Sequence, residues 1–187
     1  MSNKQDVMQL LQGGRLAEAK TLCTRLCQEN TRDAEAWFLL AGIHAHYGTL
    51  DEVVHCCRQV VTLQPDNAGA YYNMGVALQT LGKPEEAADS YRQVLRLNPA
   101  MAQAHTNLGL VYRQLDQLGE AEKYCRAAVR LNPAMARAHN NLGLVLKDQN
   151  RIGEASASFR EAIKTNPQLA EAHYNLGLCQ GKDGQLD

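Results

Sequence analysis

The feature that most constrains this chain is a period. Gly75, Gly109, Gly143 and Gly177 follow one another at intervals of 34 residues, and Asn73, Asn107, Asn141 and Asn175 keep the same interval. Pro65, Pro99, Pro133 and Pro167 stay in step, as do Leu63, Leu97 and Leu131. Ala19, Val53, Ala87, Ala121 and Ala155 hold the frame too, followed four residues later by Cys23, Cys57, Tyr91, Cys125 and Phe159. A fixed period of this length signals an array of small units, each burying its apolar face against the next, rather than a globule around one core.

Each unit contains two helical patterns. In "AQAHTNLGLVYRQL" (102–115) the apolar or aromatic positions 105, 108 and 112 have helical spacing, and in "LGEAEKYCRAAVRLN" (118–132) Ala121, Cys125, Ala128 and Val129 share a face. Gly109 and Ala121 are small where two antiparallel helices must approach closely. "LNP" ends the second helix, because the residue before proline is pushed out of the helical region.

The units resemble those of the tetratricopeptide repeat (TPR) family, whose signature over 34 residues is an aromatic, Leu-Gly, Tyr, Ala, an aromatic and Pro. Residues 68–101 carry it as Tyr71, Met74-Gly75, Leu78, Ala87, Tyr91, Val94 and Pro99. Complete units fall at 34–67, 68–101, 102–135 and 136–169; 1–33 is a degenerate first unit and 170–187 stops halfway. The resemblance implies an all-α fold over 1–187: one right-handed superhelical solenoid of antiparallel helical hairpins, about five and a half repeats long, with a concave inner surface.

Composition removes several function classes. The 19 basic and 20 acidic residues are mixed along the chain, so no block of positive charge is offered to nucleic acid or to an anionic membrane. The first twenty residues lack a signal-peptide run, and nothing is long and apolar enough to span a bilayer, which places the protein in the cytoplasm. No Ser or Cys stands in a nucleophile, base and acid set, and "LQGGRL" (11–16) lacks the Lys-Ser/Thr of a phosphate-binding loop. The chain itself reads as a non-enzyme without cofactor or metal.

His105, His139 and His173 occupy the repeat position held by Trp37 and Tyr71. Equivalent positions sit two helices apart, too far to share one ion, so these are packing residues with a polar edge. His44, His46 and His55 have no metal-site spacing. Cys23, Cys57 and Cys125 share the slot of Tyr91 and Phe159 and read as core; Cys23 with Cys27 is a weak zinc signal, and vicinal Cys56 and Cys57 read as reduced thiols.

The asparagines point elsewhere. Measured from Asn107, the packing residues Leu108, His105, Gly109 and Tyr112 lie about 100° to 160° around the helix. Its own face holds Gln103, Leu110 and Gln114; the matching stripes are Gly69, Asn73, Val76, Thr80, then Arg137, Asn141, Leu144, Asp148, then Glu171, Asn175, Leu178, Lys182. In the TPR family the first helices of successive hairpins line the inner surface. The resemblance therefore implies a groove floored by amides (Asn73, Asn107, Asn141, Asn175) beside aliphatics (Val76, Leu110, Leu144, Leu178), with Gln103 and Arg137 at its edge. An amide can donate to and accept from an extended peptide backbone whatever the side chains are. The other reading of each Asn is a bridge to a neighbouring helix or to water; the four together, with aliphatics alongside, favour a ligand groove.

The two-carboxylate clamp of co-chaperone TPRs wants Lys and Asn at slots filled here by Phe38/Gly42, Tyr72/Val76, Thr106/Leu110, Asn140/Leu144 and Tyr174/Leu178, so it does not fit. The units are similar to the TPR arm of O-linked N-acetylglucosamine transferases and related bacterial proteins. The expected function is a module that binds an extended or helical peptide segment of a protein partner in its groove. The alternative is a substrate-recruiting arm of a larger glycosyltransferase or sulfotransferase whose catalytic domain lies beyond 187. The halt at "GKDGQLD" (181–187) suggests a fragment of a longer protein whose last helix lacks a partner, leaving Leu176 and Cys179 partly uncovered and open to self-association.

Overall fold

The computed structural model describes residues 3–183; the Lys182 and Asp183 side chains and residues 184–187 of the last half unit lie outside the described residues. The described residues are all-α. The helices are α1 (Lys4–Gln12), α2 (Leu16–Glu29), α3 (Ala34–His46), α4 (Leu50–Leu63), α5 (Ala68–Thr80), α6 (Pro84–Leu97), α7 (Ala102–Gln114), α8 (Leu118–Leu131), α9 (Ala136–Asp148), α10 (Ile152–Thr165) and α11 (Ala170–Asp183). Odd-numbered helices from α3 onward begin at 34, 68, 102, 136 and 170, each opening a repeat of the sequence. The chain divides into two compact units, Met1–Leu97 with α1 to α6 and Asn98–Asp187 with α7 to α11.

Within each unit the helices pack as successive hairpins, and each second helix also packs on the first helix of the next hairpin. The hairpin turn is the same device five times. Residues 14, 48, 82, 116 and 150 have φ near +57 to +72°, and the next residue's N–H reaches back to a carbonyl five residues earlier, as from Lys83 to Leu78 at 2.9 Å and from Gln117 to Tyr112 at 2.9 Å. The first unit meets that left-handed geometry with Gly14, Gly48 and Gly82; the second uses Asp116 and Asn150, the side chains that tolerate it best after glycine.

The 34-residue glycines mark where the two helices of a hairpin touch. A methyl group at Gly75 would stand 2.8 Å from the Tyr91 ring, one at Gly109 2.5 Å from Cys125 Sγ, and one at Gly143 2.6 Å from the Phe159 ring. The slot filled by Cys, Tyr or Phe is thus the group that enters the space the glycine leaves, and Tyr91, Cys125 and Phe159 are fully buried. Gly177 keeps the period but has nothing within 4 Å among the described residues. Cys179, expected to be partly uncovered, is buried at 0% exposure, because α11 packs against both α9 and α10; Leu176 is half-buried.

Candidate functional site

In the second unit α9 packs against both α7 and α11, and helical geometry sets the stripe of each of these first helices on the side opposite its hairpin packing residues. Leu110 and Leu144 are half-buried on that face and Leu178 is 43% exposed. The amides are less open than the aliphatics. Asn107 is half-buried, whereas Asn141 is 6% and Asn175 8% exposed. Asn175 Nδ2 donates to Asn140 Oδ1 at 3.3 Å, joining α11 to α9. The residue one repeat before Asn140 is Thr106, whose hydroxyl already donates to Ala102 O at 2.8 Å and to Met135 Sδ at 3.4 Å. Only Asn140 therefore presents an amide to the following helix from that slot, a partnership that the period of position 175 alone does not reveal.

The edge of the same face is charged. Arg113 Nε on α7 donates to Asp148 Oδ2 on α9, tying the two helices. Gln103 and Arg137 are exposed at the opposite end of α7 and α9. Tyr174 on α11 is 68% exposed.

The first unit fills the same slots differently. Asn73 is half-buried on α5 beside exposed Val76. On α3 the Asn slot is Leu39 and the aliphatic slot is Gly42. Phe38, Leu39, Gly42, Ile43 and Met8 help enclose an open apolar cavity of about 610 Å³ between α1 and α3. Sequence reasoning passed over this cavity because the degenerate first unit hides the register of Met8 and Leu11.

Models of repeat families match much of the chain: "Tetratricopeptide repeat" over 72–136 and "TPR repeat" over 145–184, with "Anaphase-promoting complex, cyclosome, subunit 3" over 12–94. The chain is a tetratricopeptide-repeat protein. Solved TPR structures share its fold. MamA of Desulfovibrio magneticus RS-1 is 22% identical with TM-score 0.82, covering 89% of this chain and 94% of its own. YrrB, described as a TPR protein with an unusual peptide-binding site, is 18% identical with TM-score 0.81, covering 90% and 87%. TTC0263, a thermophilic TPR protein of Thermus thermophilus, is 25% identical with TM-score 0.66, covering 94% and 96%. No curated protein matches the sequence significantly.

The TPR frame accounts for the residues that first suggest chemistry. His105, His139 and His173 each place Nε2 2.9 Å from a carbonyl six residues earlier, at Pro99, Pro133 and Pro167. A carbonyl only accepts, so each Nε2 carries the proton. Trp37 Nε1 donates to Thr31 O at 3.0 Å across the same six-residue interval, so indole and imidazole are interchangeable latches between a loop and its next helix. His44 Nδ1 lies 2.7 Å from Thr49 Oγ1 and His55 meets Trp37 edge-on. All six cysteines are buried and unpaired by disulfides. Burial pushes the Cys56, Cys57 and Cys125 thiols up to about 12, and the Cys23 thiol, hydrogen-bonded to Cys27 and desolvated, also holds its proton far above the ordinary thiol range. Such thiols are poor nucleophiles. Among the described residues no group of three His, Cys, Asp or Glu is placed to hold a metal, and no helix is long and apolar enough to cross a membrane.

Proposed function

We propose that this TPR protein is a peptide-binding module without chemistry of its own, and that the faces of its first helices take up a partner's extended or helical segment. Asn107, Gln103 and Arg137 are the polar groups that the second unit offers a ligand, with Asn141, 6% exposed, beneath them; Leu110, Leu144 and Leu178 supply the apolar contact. Asn73 and Val76 are the counterparts in the first unit. Asn175 contributes by holding Asn140 in place.

The observation that carries the reading is the aliphatic row: Val76 stays 40% and Leu178 43% exposed, each on a first-helix stripe that also carries an asparagine. Apolar side chains next to polar groups that both donate and accept suit a main chain with intermittent apolar side chains. The peptide-binding site named for YrrB is in keeping with this use of the fold.

An array of decamer peptides of varied sequence tests it. The wild-type chain is expected to retain a subset of peptides, and Asn107→Ala with Gln103→Ala to weaken them about fivefold to tenfold, one modest hydrogen bond per amide. Unchanged retention by a doubly substituted, folded protein would sink the assignment.

A further inference from the structure

We infer that His44 is an acid-opened clasp of the first unit: on taking up a second proton it parts the α3–α4 hairpin, while the hairpins of the second unit stay closed. The repeat singles the residue out. Its slot holds Leu10 on α1, Leu78 on α5, Tyr112 on α7 and Leu146 on α9, so a base that titrates near neutrality stands where this chain otherwise puts uncharged packing groups. His44 is as buried there as they are, at 7% exposure against 8% for Tyr112. Its turn differs too: Thr49 stands where the later hairpins have Lys83, Gln117 and Arg151.

Hydrogen bonds fix the ring. Thr49 Oγ1 donates its one hydrogen to the His44 carbonyl at 3.1 Å and lies 2.7 Å from His44 Nδ1. Nδ1 therefore carries the proton of the neutral ring, and Nε2 is the atom that takes the second. The Thr49 backbone N–H also donates to the His44 carbonyl at 3.1 Å, so ring, hydroxyl and turn are knotted at the hairpin tip. A cation here is opposed by burial first, and then by the Lys20 ammonium of α2, which sits 5.4 Å from the centre of the Tyr47 ring. Glu52 of α4 and the carbonyl end of α3 favour the cation, but the balance holds the imidazole below its ordinary value. A lowered folded-state value means stability that is complete above the ordinary value near 6.5 and is lost as pH falls through the folded-state value. The charged ring gains full hydration only when the tip parts. Because α3 carries Phe38, Leu39, Gly42 and Ile43, that opening also removes one wall of the apolar cavity beside α1.

Hydrogen exchange of the full chain tests this, read by mass spectrometry on peptides from α3–α4 and α9–α10 in the same sample at about pH 7.5 and about pH 5, either side of the ordinary imidazole value, and corrected for intrinsic exchange. The α9–α10 hairpin is the control, because its His139 keeps the Nε2–H bond to Pro133 O when a second proton arrives at Nδ1. Protection of α3–α4 is expected to fall severalfold in acid and that of α9–α10 to fall less. His44→Leu, the residue this chain uses at 78 and 146, should remove the difference, and so should His44→Gln, which stays polar without titrating. Lys20→Gln should shrink the acid loss and Glu52→Gln enlarge it. The same acid loss in wild type and in both His44 variants would overturn the clasp, as would protection that rises in acid. Equal loss in the two hairpins would overturn its confinement to the first unit. If one His44 variant does not fold, the other, together with the wild-type comparison of the two hairpins, still decides.

Discussion

The two units run the same repeat with different fillings. The first turns its hairpins on Gly14, Gly48 and Gly82 and lines its α1 and α3 face with Met8, Phe38, Leu39 and Gly42. The second turns on Asp116 and Asn150 and lines the same kind of face with Asn107, Asn140, Asn141 and Asn175, with Arg113 paired to Asp148 at its edge. The backbone of the hairpin is indifferent to what stands on its outward face, because the positions that lock two helices together lie on the other side. The array thus changes the chemistry of these faces from one unit to the other, apolar at α3 and amide-rich at α9, with the same hairpin packing in both.

The core is where the largest effect is expected. Phe159 fills the hairpin of α9 and α10, whereas Cys57 fills that of α3 and α4; both are completely buried. Phe159→Ala should cost about 3 to 5 kcal/mol, and Cys57→Ala roughly 1 kcal/mol for its smaller sulfur. Urea unfolding followed by circular dichroism measures both, and equal losses would show that the slot's volume does not set hairpin stability.

The turns come next. Gly48 has φ of +70° and open space around it, so Gly48→Ala should lose about 1 kcal/mol through backbone strain alone. Asp116→Gly, in the same conformation, should change stability by only a few tenths of a kcal/mol, relief of strain being offset by a freer unfolded chain. Similar losses at both turns would break the distinction between the two units.

The asparagines give a finer contrast. Asn175→Ala removes the bond to Asn140, which is 2% exposed, and should cost about 1 to 2 kcal/mol for the amide left without its partner. Asn73→Ala removes a half-buried amide from mid-helix and should cost little or even stabilise by about 0.5 kcal/mol. Thermal melts of the two variants decide whether position 175 is structural where position 73 is free for a ligand.

The remaining contrast is electrostatic. Burial acts to raise the Glu122 carboxyl, but hydrogen bonds from Gln149 and Arg151, with Arg126 close by, outweigh it and hold the group below the usual carboxylate range. A lowered folded-state value means stability that is present above the ordinary carboxylate pKa near 4.3 and is lost as pH falls through the folded-state value. Glu122→Gln should therefore lower stability at neutral pH by less than about 1 kcal/mol, and the gap from wild type should close in acid. A gap that does not change with pH would mean that packing, not charge, is what Glu122 supplies.

The legibility of this protein follows from its period. Gly75, Gly109 and Gly143 are spaced by the hairpin because each must admit the ring or sulfur at positions 91, 125 and 159, so both ends of the contact recur in the sequence. The same logic exposes the histidine and tryptophan latches. The turn series 14, 48, 82, 116 and 150 is equally periodic but changes residue type halfway, so its common left-handed backbone appears only in φ. The candidate face was legible as a stripe of positions; how open each position is was not. Asn141 and Asn175 sit on the stripe yet are buried, since their exposure depends on the adjacent first helix as well as on their own.

By itself the sequence determined the all-α hairpin repeat, its 34-residue frame, and the side of each first helix that faces away from the hairpin, because these are set by local helical geometry and by recurrence. Only the tertiary structure decided that Asn175 bonds to Asn140, that Cys179 is covered, that Arg113 is tied to Asp148 while Arg137 and Lys147 enter no ion pair among the described residues, and that α1 and α3 enclose an apolar cavity. Each of these is a distance between side chains on different helices, and such distances are fixed by how helices pack, not by where residues fall along one of them.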